Sequence, residues 1–108
     1  MTEITKSTSR FYSRLGQSGA AFGVGLIEKA KENDNIAVLT ADMGKPAGLS
    51  KFASLYAERF FNVGIAEQNL VGVAAGLSNE GFKVVASAQA CFLSMRCYEQ
   101  VRQFSGYM

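Results

Sequence analysis

The sequence predicts an α/β domain in which helices cover both faces of a parallel sheet. Three observations carry that expectation. Short apolar runs alternate with segments whose apolar residues recur at helical spacing. The run Ile36 to Thr40, IAVLT, shows no polar alternation, as expected of a strand buried on both faces. The resulting order, α then β, α, β, α, β, α, is met by parallel strands joined through crossover helices.

Taken in order, residues 1–17 are polar, with Ser and Thr frequent, and read as a loosely ordered lead-in to a domain over 18–108. Ser18 is placed to cap a helix running to about Asn33, with Ala20, Val24 and Ile27 on one face and Glu28, Lys29, Lys31 and Glu32 near its end. Asn33-Asp34-Asn35 is a turn, Ile36 to Thr40 the first strand, and ADMGKPAG the loop that follows. A short helix from Ser50 to about Ala57 precedes a brief strand in RFFNVG.

The next helix runs from about Ala66 to Glu80, with Leu70, Val73, Ala74 and Leu77 forming a core stripe and Gly81 ending it at the C′ position. Lys83 to Ala88 is the third strand. A last helix carries Cys97, Val101, Phe104 and Met108 as its apolar stripe. The alternation calls for a further strand after that helix, so the domain is expected to be completed by more chain or by a partner.

Composition narrows the function classes. The chain has 108 residues, 48% apolar and 19% charged, with a formal charge of +2 and no long basic run, which does not point to nucleic acid or to an anionic membrane. Its longest uncharged stretches fall well short of the ~20 apolar residues of a bilayer span, and the N-terminus lacks an apolar signal region, so a cytoplasmic location is expected. Cys91 and Cys97 occur without any histidine, a poor pattern for zinc, and read as buried thiols. Gly23 and Gly25 lie inside a helix, and Gly44-Lys45-Pro46 has no Ser or Thr after the lysine, so neither is a phosphate loop. Gly72 and Gly76, on one helix face, suggest close approach of another helix or chain.

Ligands of open α/β sheets bind beyond the carboxyl ends of the strands. Three segments meet there: Ala41 to Gly48 with Asp42 and Met43, Gly64 to Gln68 with Glu67, and Ala88 to Leu93 with Gln89 and Phe92. Glu67 stands in the first turn of its helix, where the dipole favours a carboxylate. Its sequence neighbours Gly64, Ile65, Ala66, Leu70 and Val71 offer no cation, an environment in which a carboxylate holds or shares a proton.

The segments LTADMG, RFFNVGIAEQNLVGVAAGLSNEG and YEQVRQFSGYM, in this order and spacing, resemble the pyrimidine-binding domain of thiamine diphosphate enzymes of the transketolase group, most closely the C-terminal subunit of split bacterial transketolases. The resemblance spans roughly Arg14 to Met108, and GIAEQN is its most specific part. It implies that Glu67 is catalytic, hydrogen-bonding a ring nitrogen of the aminopyrimidine and promoting the tautomer that takes the thiazolium proton. It further implies cofactor contacts from Asp42, Met43, Ile65, Glu67, Gln89 and Phe92. Phe92 would stack on the pyrimidine, Met43 would keep the two rings bent, and Asp42 would lie near the thiazolium or the partner chain. Gln89 replaces a pocket aromatic of many members, and Gln68 and Asn69 stand where some carry histidine.

The resemblance also implies a partner, the transketolase N-terminal subunit, holding the diphosphate and Mg2+, in a homo- or hetero-oligomer that transfers a two-carbon ketol unit between sugar phosphates. Two alternatives remain among enzymes: a synthase of 1-deoxyxylulose 5-phosphate and the beta subunit of an oxo-acid dehydrogenase. A catalytically silent assembly module is a third, against which Glu67 and Phe92 both speak.

Overall fold

A computed structural model describes residues 5–14 and 19–107. Its centre is the strand β1 (Ile36–Thr40), all five residues of which are buried. β1 pairs in parallel with β2 (Phe60–Asn62) on one side and β3 (Lys83–Ser87) on the other, giving the order β2-β1-β3. The registers Thr40↔Asn62 and Thr40↔Ser87 bring the three carboxyl ends level, so the loops that follow leave from one edge.

Alternation along β1 divides the core into two. Ile36 and Val38 face α2 (Ala20–Glu32) and α3 (Ser50–Leu55), packing with Leu26, Ile27, Ala30, Leu49 and Phe52. Ala37 and Leu39 face α4 (Glu67–Asn79), where Leu70 is fully buried and Val73, Ala74 and Leu77 pack around it. Helices therefore cover both faces of a parallel sheet, the fold class expected from the apolar run and the element order. Gly81 takes a left-handed φ of 93° directly after α4 and its C-cap Glu80, as the C′ glycine should.

Several details depart from expectation. The lead-in contains a helix, α1 (Lys6–Arg14), none of whose residues is buried; Tyr12 donates from it to Glu28 Oε2 at 2.7 Å. The expected cap Ser18 lies outside the described residues, and α2 starts after Gly19 with no side-chain cap. The buried face of α2 is Gly23, Leu26, Ile27 and Ala30, so Ala20 and Val24 lie at its margin.

Gly23 is there because backbone crosses backbone. A Cβ on Gly23 would overlap the Gly48 carbonyl, and Gly48 itself has φ +75°. By contrast, a Cβ on Gly72 would meet only the Phe104 ring at 3.8 Å and one on Gly76 nothing, so the described residues bring no close helix to that pair.

The last helix is broken. A π-type turn, Phe92–Arg96, leads into α5 (Tyr98–Val101) and a second follows at Arg102–Gly106. Wider turns shift residues off a 3.6-residue stripe. Cys97 is buried but Val101 is 44% exposed, and Met108 lies outside the described residues. Cys91 is exposed rather than buried, because it precedes the first of these turns at the surface.

Candidate functional site

The loops after β1 and β2 are held by polar groups at the ends of those strands. Thr40, fully buried, accepts from the Met43 amide at Oγ1 (3.1 Å) and from the Val63 amide at its carbonyl (3.0 Å). Asn62 Oδ1 accepts from the amides of both Asp42 and Gly64, each at 3.0 Å, and so ties the loop after β1 to the loop after β2. Asp42 has φ +55° at this tie, a left-handed conformation that aspartate tolerates better than most residues. Its side chain is exposed and lines a depression of about 220 Å³ with Lys45, Ser50, Phe60 and Asn62. Met43, half-buried, stands beside it.

The loop after β2 turns through Gly64 at φ +77° and delivers Glu67 as the first residue of α4. Ile65, immediately before, is 81% exposed, an unusual position for a large apolar side chain. Glu67 is the opposite: its side chain retains 5% of its surface. The helix N-terminus favours its charge.

Burial also demands a partner, and the partner comes from far along the chain. Arg96 Nη1 donates to Glu67 Oε2 at 2.8 Å, so the expectation that Glu67 has no cation beside it is corrected. Sequence neighbours carried no such group; the first π turn brings Arg96 back over α4. Gln68 Nε2 donates to the Arg96 carbonyl at 3.1 Å and anchors that turn on the same helix.

The same guanidinium lies over the Phe92 ring, 4.3 Å from carbon to centroid. Glu67 and Phe92, singled out separately, are thus brought together by a third residue that was not. Gln89 is exposed in the loop after β3, and its carbonyl accepts from the amides of Phe92 and Leu93, both at 3.0 Å. Cys97 is buried beneath the turn, with Sγ 3.6 Å from the Phe92 carbonyl. Burial pushes its thiol up, and the Glu67 charge adds to that while Arg96 opposes it.

Among the described residues no group of three or more His, Cys, Asp or Glu is placed to hold a metal ion, and no helix is long and apolar enough to cross a membrane. Asn62 and Arg96 escaped sequence reasoning, and Gln68, noted there in place of a histidine, holds the turn instead. Asn62 alone left a signal, as a polar residue closing an apolar strand before a glycine turn.

The chain is an α/β domain whose parallel sheet presents, at the carboxyl edge where open sheets of this kind bind ligands, a buried helix-initial glutamate beside a half-exposed aromatic ring. Residues 17–108 match the transketolase pyrimidine-binding domain family, and the chain belongs to it. It is 43% identical over 86 residues to a putative transketolase C-terminal section of Methanocaldococcus jannaschii, a match spanning 80% of this chain and 27% of that protein. It is 49% identical over 80 residues to 1-deoxy-D-xylulose-5-phosphate synthase 1 of Geobacter sulfurreducens, covering 74% of this chain and 12% of the synthase. Among solved structures, a split-gene transketolase described as an inactive beta4 tetramer superposes with a TM-score of 0.73 at 48% identity, covering 82% of this chain and 30% of that one. The chain thus spans less than a third of each of these relatives.

Proposed function

We propose that this chain supplies the pyrimidine half of a thiamine diphosphate site in a split transketolase-type enzyme, working with an N-terminal subunit that holds the diphosphate and Mg2+. The observation that carries the reading is the pairing of a nearly buried Glu67 carboxyl with the half-exposed Phe92 ring at the carboxyl edge of the sheet. A planar nitrogen-bearing group already fits between them, in the form of the Arg96 guanidinium. An aminopyrimidine has the same flat shape, and its ring nitrogen can share a proton with the carboxyl where the guanidinium donates, so the residues present suit it.

When bound, thiamine diphosphate supplies the carbanion chemistry through its thiazolium carbon. Glu67 holds and returns one proton at a ring nitrogen of the pyrimidine, a task for which a carboxyl in a dry setting suits. Phe92 offers a ring face for stacking, and Ile65, exposed beside Glu67, an apolar wall. Met43, Asp42 and Gln89 stand on the neighbouring loops of the same edge, and we assign them contacts to the rest of the cofactor. The reaction we assign is transfer of a two-carbon ketol unit between sugar phosphates. Identity to 1-deoxyxylulose-5-phosphate synthases supports that synthase activity as the second reading; product analysis with ketose phosphates separates the two.

The test concerns Glu67→Gln in the complex with the diphosphate-binding subunit. The amide keeps a hydrogen-bonding group but cannot exchange a proton as a carboxyl can, so turnover should fall by ~10² to 10⁴ with a much smaller change in cofactor affinity. NMR of thiazolium-proton exchange into heavy water reads the step itself. Exchange as fast as in the parent would reduce Glu67 to a helix-terminus residue and end the catalytic reading.

A further inference from the structure

Arg96 does two things with one flat group. Its guanidinium donates to Glu67 Oε2 at 2.8 Å and covers the face of Phe92 at 4.3 Å. Those are the two groups, the carboxyl and the ring face, that the proposed function assigns to an aminopyrimidine, although toward the carboxyl the guanidinium only donates where a ring nitrogen shares the carboxyl's own proton. A guanidinium and an aminopyrimidine are both planar, the first bearing only N–H donors and the second an amino donor with ring-nitrogen acceptors. They cannot cover the same face of the Phe92 ring together.

We propose that Arg96 is an internal placeholder for the pyrimidine ring, occupying Glu67 and Phe92 in the chain by itself and leaving them when the cofactor loads. This rests on the reading of the site given above. Three features suit Arg96 to leave. Its side chain is 46% exposed while that of Glu67 is 5% exposed, so the arginine can swing into water while the glutamate stays. Its backbone is held independently, through the carbonyl that accepts from Gln68 at 3.1 Å, so release of the side chain need not unmake the turn. The turn itself is of the π type, one that helices adopt in single copies and often at functional sites.

The placeholder also answers a need. A buried carboxylate with no partner is costly, and Arg96 satisfies Glu67 until a ligand does. Every cofactor molecule that binds must then displace it, so the observed affinity is lower than the site could give, by the fraction of chains in which Arg96 has already left.

Removing the placeholder should therefore tighten binding. In the complex with the diphosphate-binding subunit, titrated calorimetrically with thiamine diphosphate and Mg2+, Arg96→Met is expected to lower the cofactor Kd about 3- to 30-fold, because the empty site is destabilised and the filled one is not. Arg96→Lys keeps a charge near Glu67 but not the flat stack, folds without a stranded carboxylate, and should tighten binding by a smaller factor of about two to five. Without cofactor, Arg96→Met should lower the Tm by about 4–8 °C, and adding Glu67→Gln should recover at least half of that loss.

A parent complex that binds while both variants bind more weakly would make Arg96 a holder of the ring and overturn the placeholder alone. An unchanged Tm in Arg96→Met would mean that the guanidinium does not satisfy Glu67, and would overturn it as well. A parent complex that binds no thiamine diphosphate would overturn the proposed function first and the placeholder with it.

Discussion

The sheet is packed quite differently under α2 and α3 than along the C-terminal segment. In the first region Leu49, Phe52 and Val38 are fully buried and form one apolar cluster with α2. In the second, Phe92, Met95, Tyr98, Val101 and Tyr107 are all exposed, with Met95 at 79%. The same chain thus buries its central strand on both faces and leaves large apolar side chains open along its C-terminal segment. Contiguous exposed apolar surface marks interaction sites, and weakly packed segments are those that reorganise at low cost. The contrast separates the well-packed core from the open segment that carries Phe92 and Arg96.

The sharpest way to break that comparison is Phe52→Ala. Truncating a fully buried phenylalanine should remove ~3–5 kcal/mol, a large share of the ~5–15 kcal/mol of a typical domain, read as a shift in the urea midpoint at constant slope. A loss below ~1 kcal/mol would mean that the two regions are equally loose. A smaller effect is expected where they meet. Asn62→Ala deprives the amides of Asp42 and Gly64 of their shared acceptor and should cost ~1–2 kcal/mol, with faster hydrogen exchange at those two amides. Unchanged exchange would show that the two loops hold their places without the tie.

The smallest perturbation sharpens the comparison within the C-terminal segment itself. Cys91 is exposed and Cys97 buried, so a thiol reagent should modify Cys91 at least ~10-fold faster at neutral pH. The sign of the pH effect follows from the cause. Burial first, and then the Glu67 charge, raise the Cys97 thiol, which stays neutral to higher pH than a free one. Whatever stability that contributes is complete below the ordinary thiol range and lost as pH climbs through the raised folded value. Mass spectrometry of the labelled chain across pH 7 to 10 would check it, and equal labelling of both cysteines would mean that the segment opens freely.

What the sequence determined by itself is whatever a short window carries. IAVLT announced a doubly buried strand, Gly64 and Gly81 announced the turn into α4 and the stop after it, and the four-residue pattern around Leu70 announced the helix face. From these follow the fold class and the position of Glu67 at a helix start beyond a strand end, since turn chemistry and apolar periodicity act between near neighbours. Only the tertiary structure decided the company that Glu67 keeps. Arg96 lies 29 residues along the chain, and Asn62 reaches an amide 20 residues back. Neither pairing leaves a local pattern. The break in the last helix belongs to the same class, because the spacing of Cys97, Val101 and Phe104 suits a regular helix, yet wider turns stand on either side of α5. A buried charge is satisfied by whichever partner the fold carries to it, and that choice is made by packing in three dimensions, beyond the reach of any window of sequence.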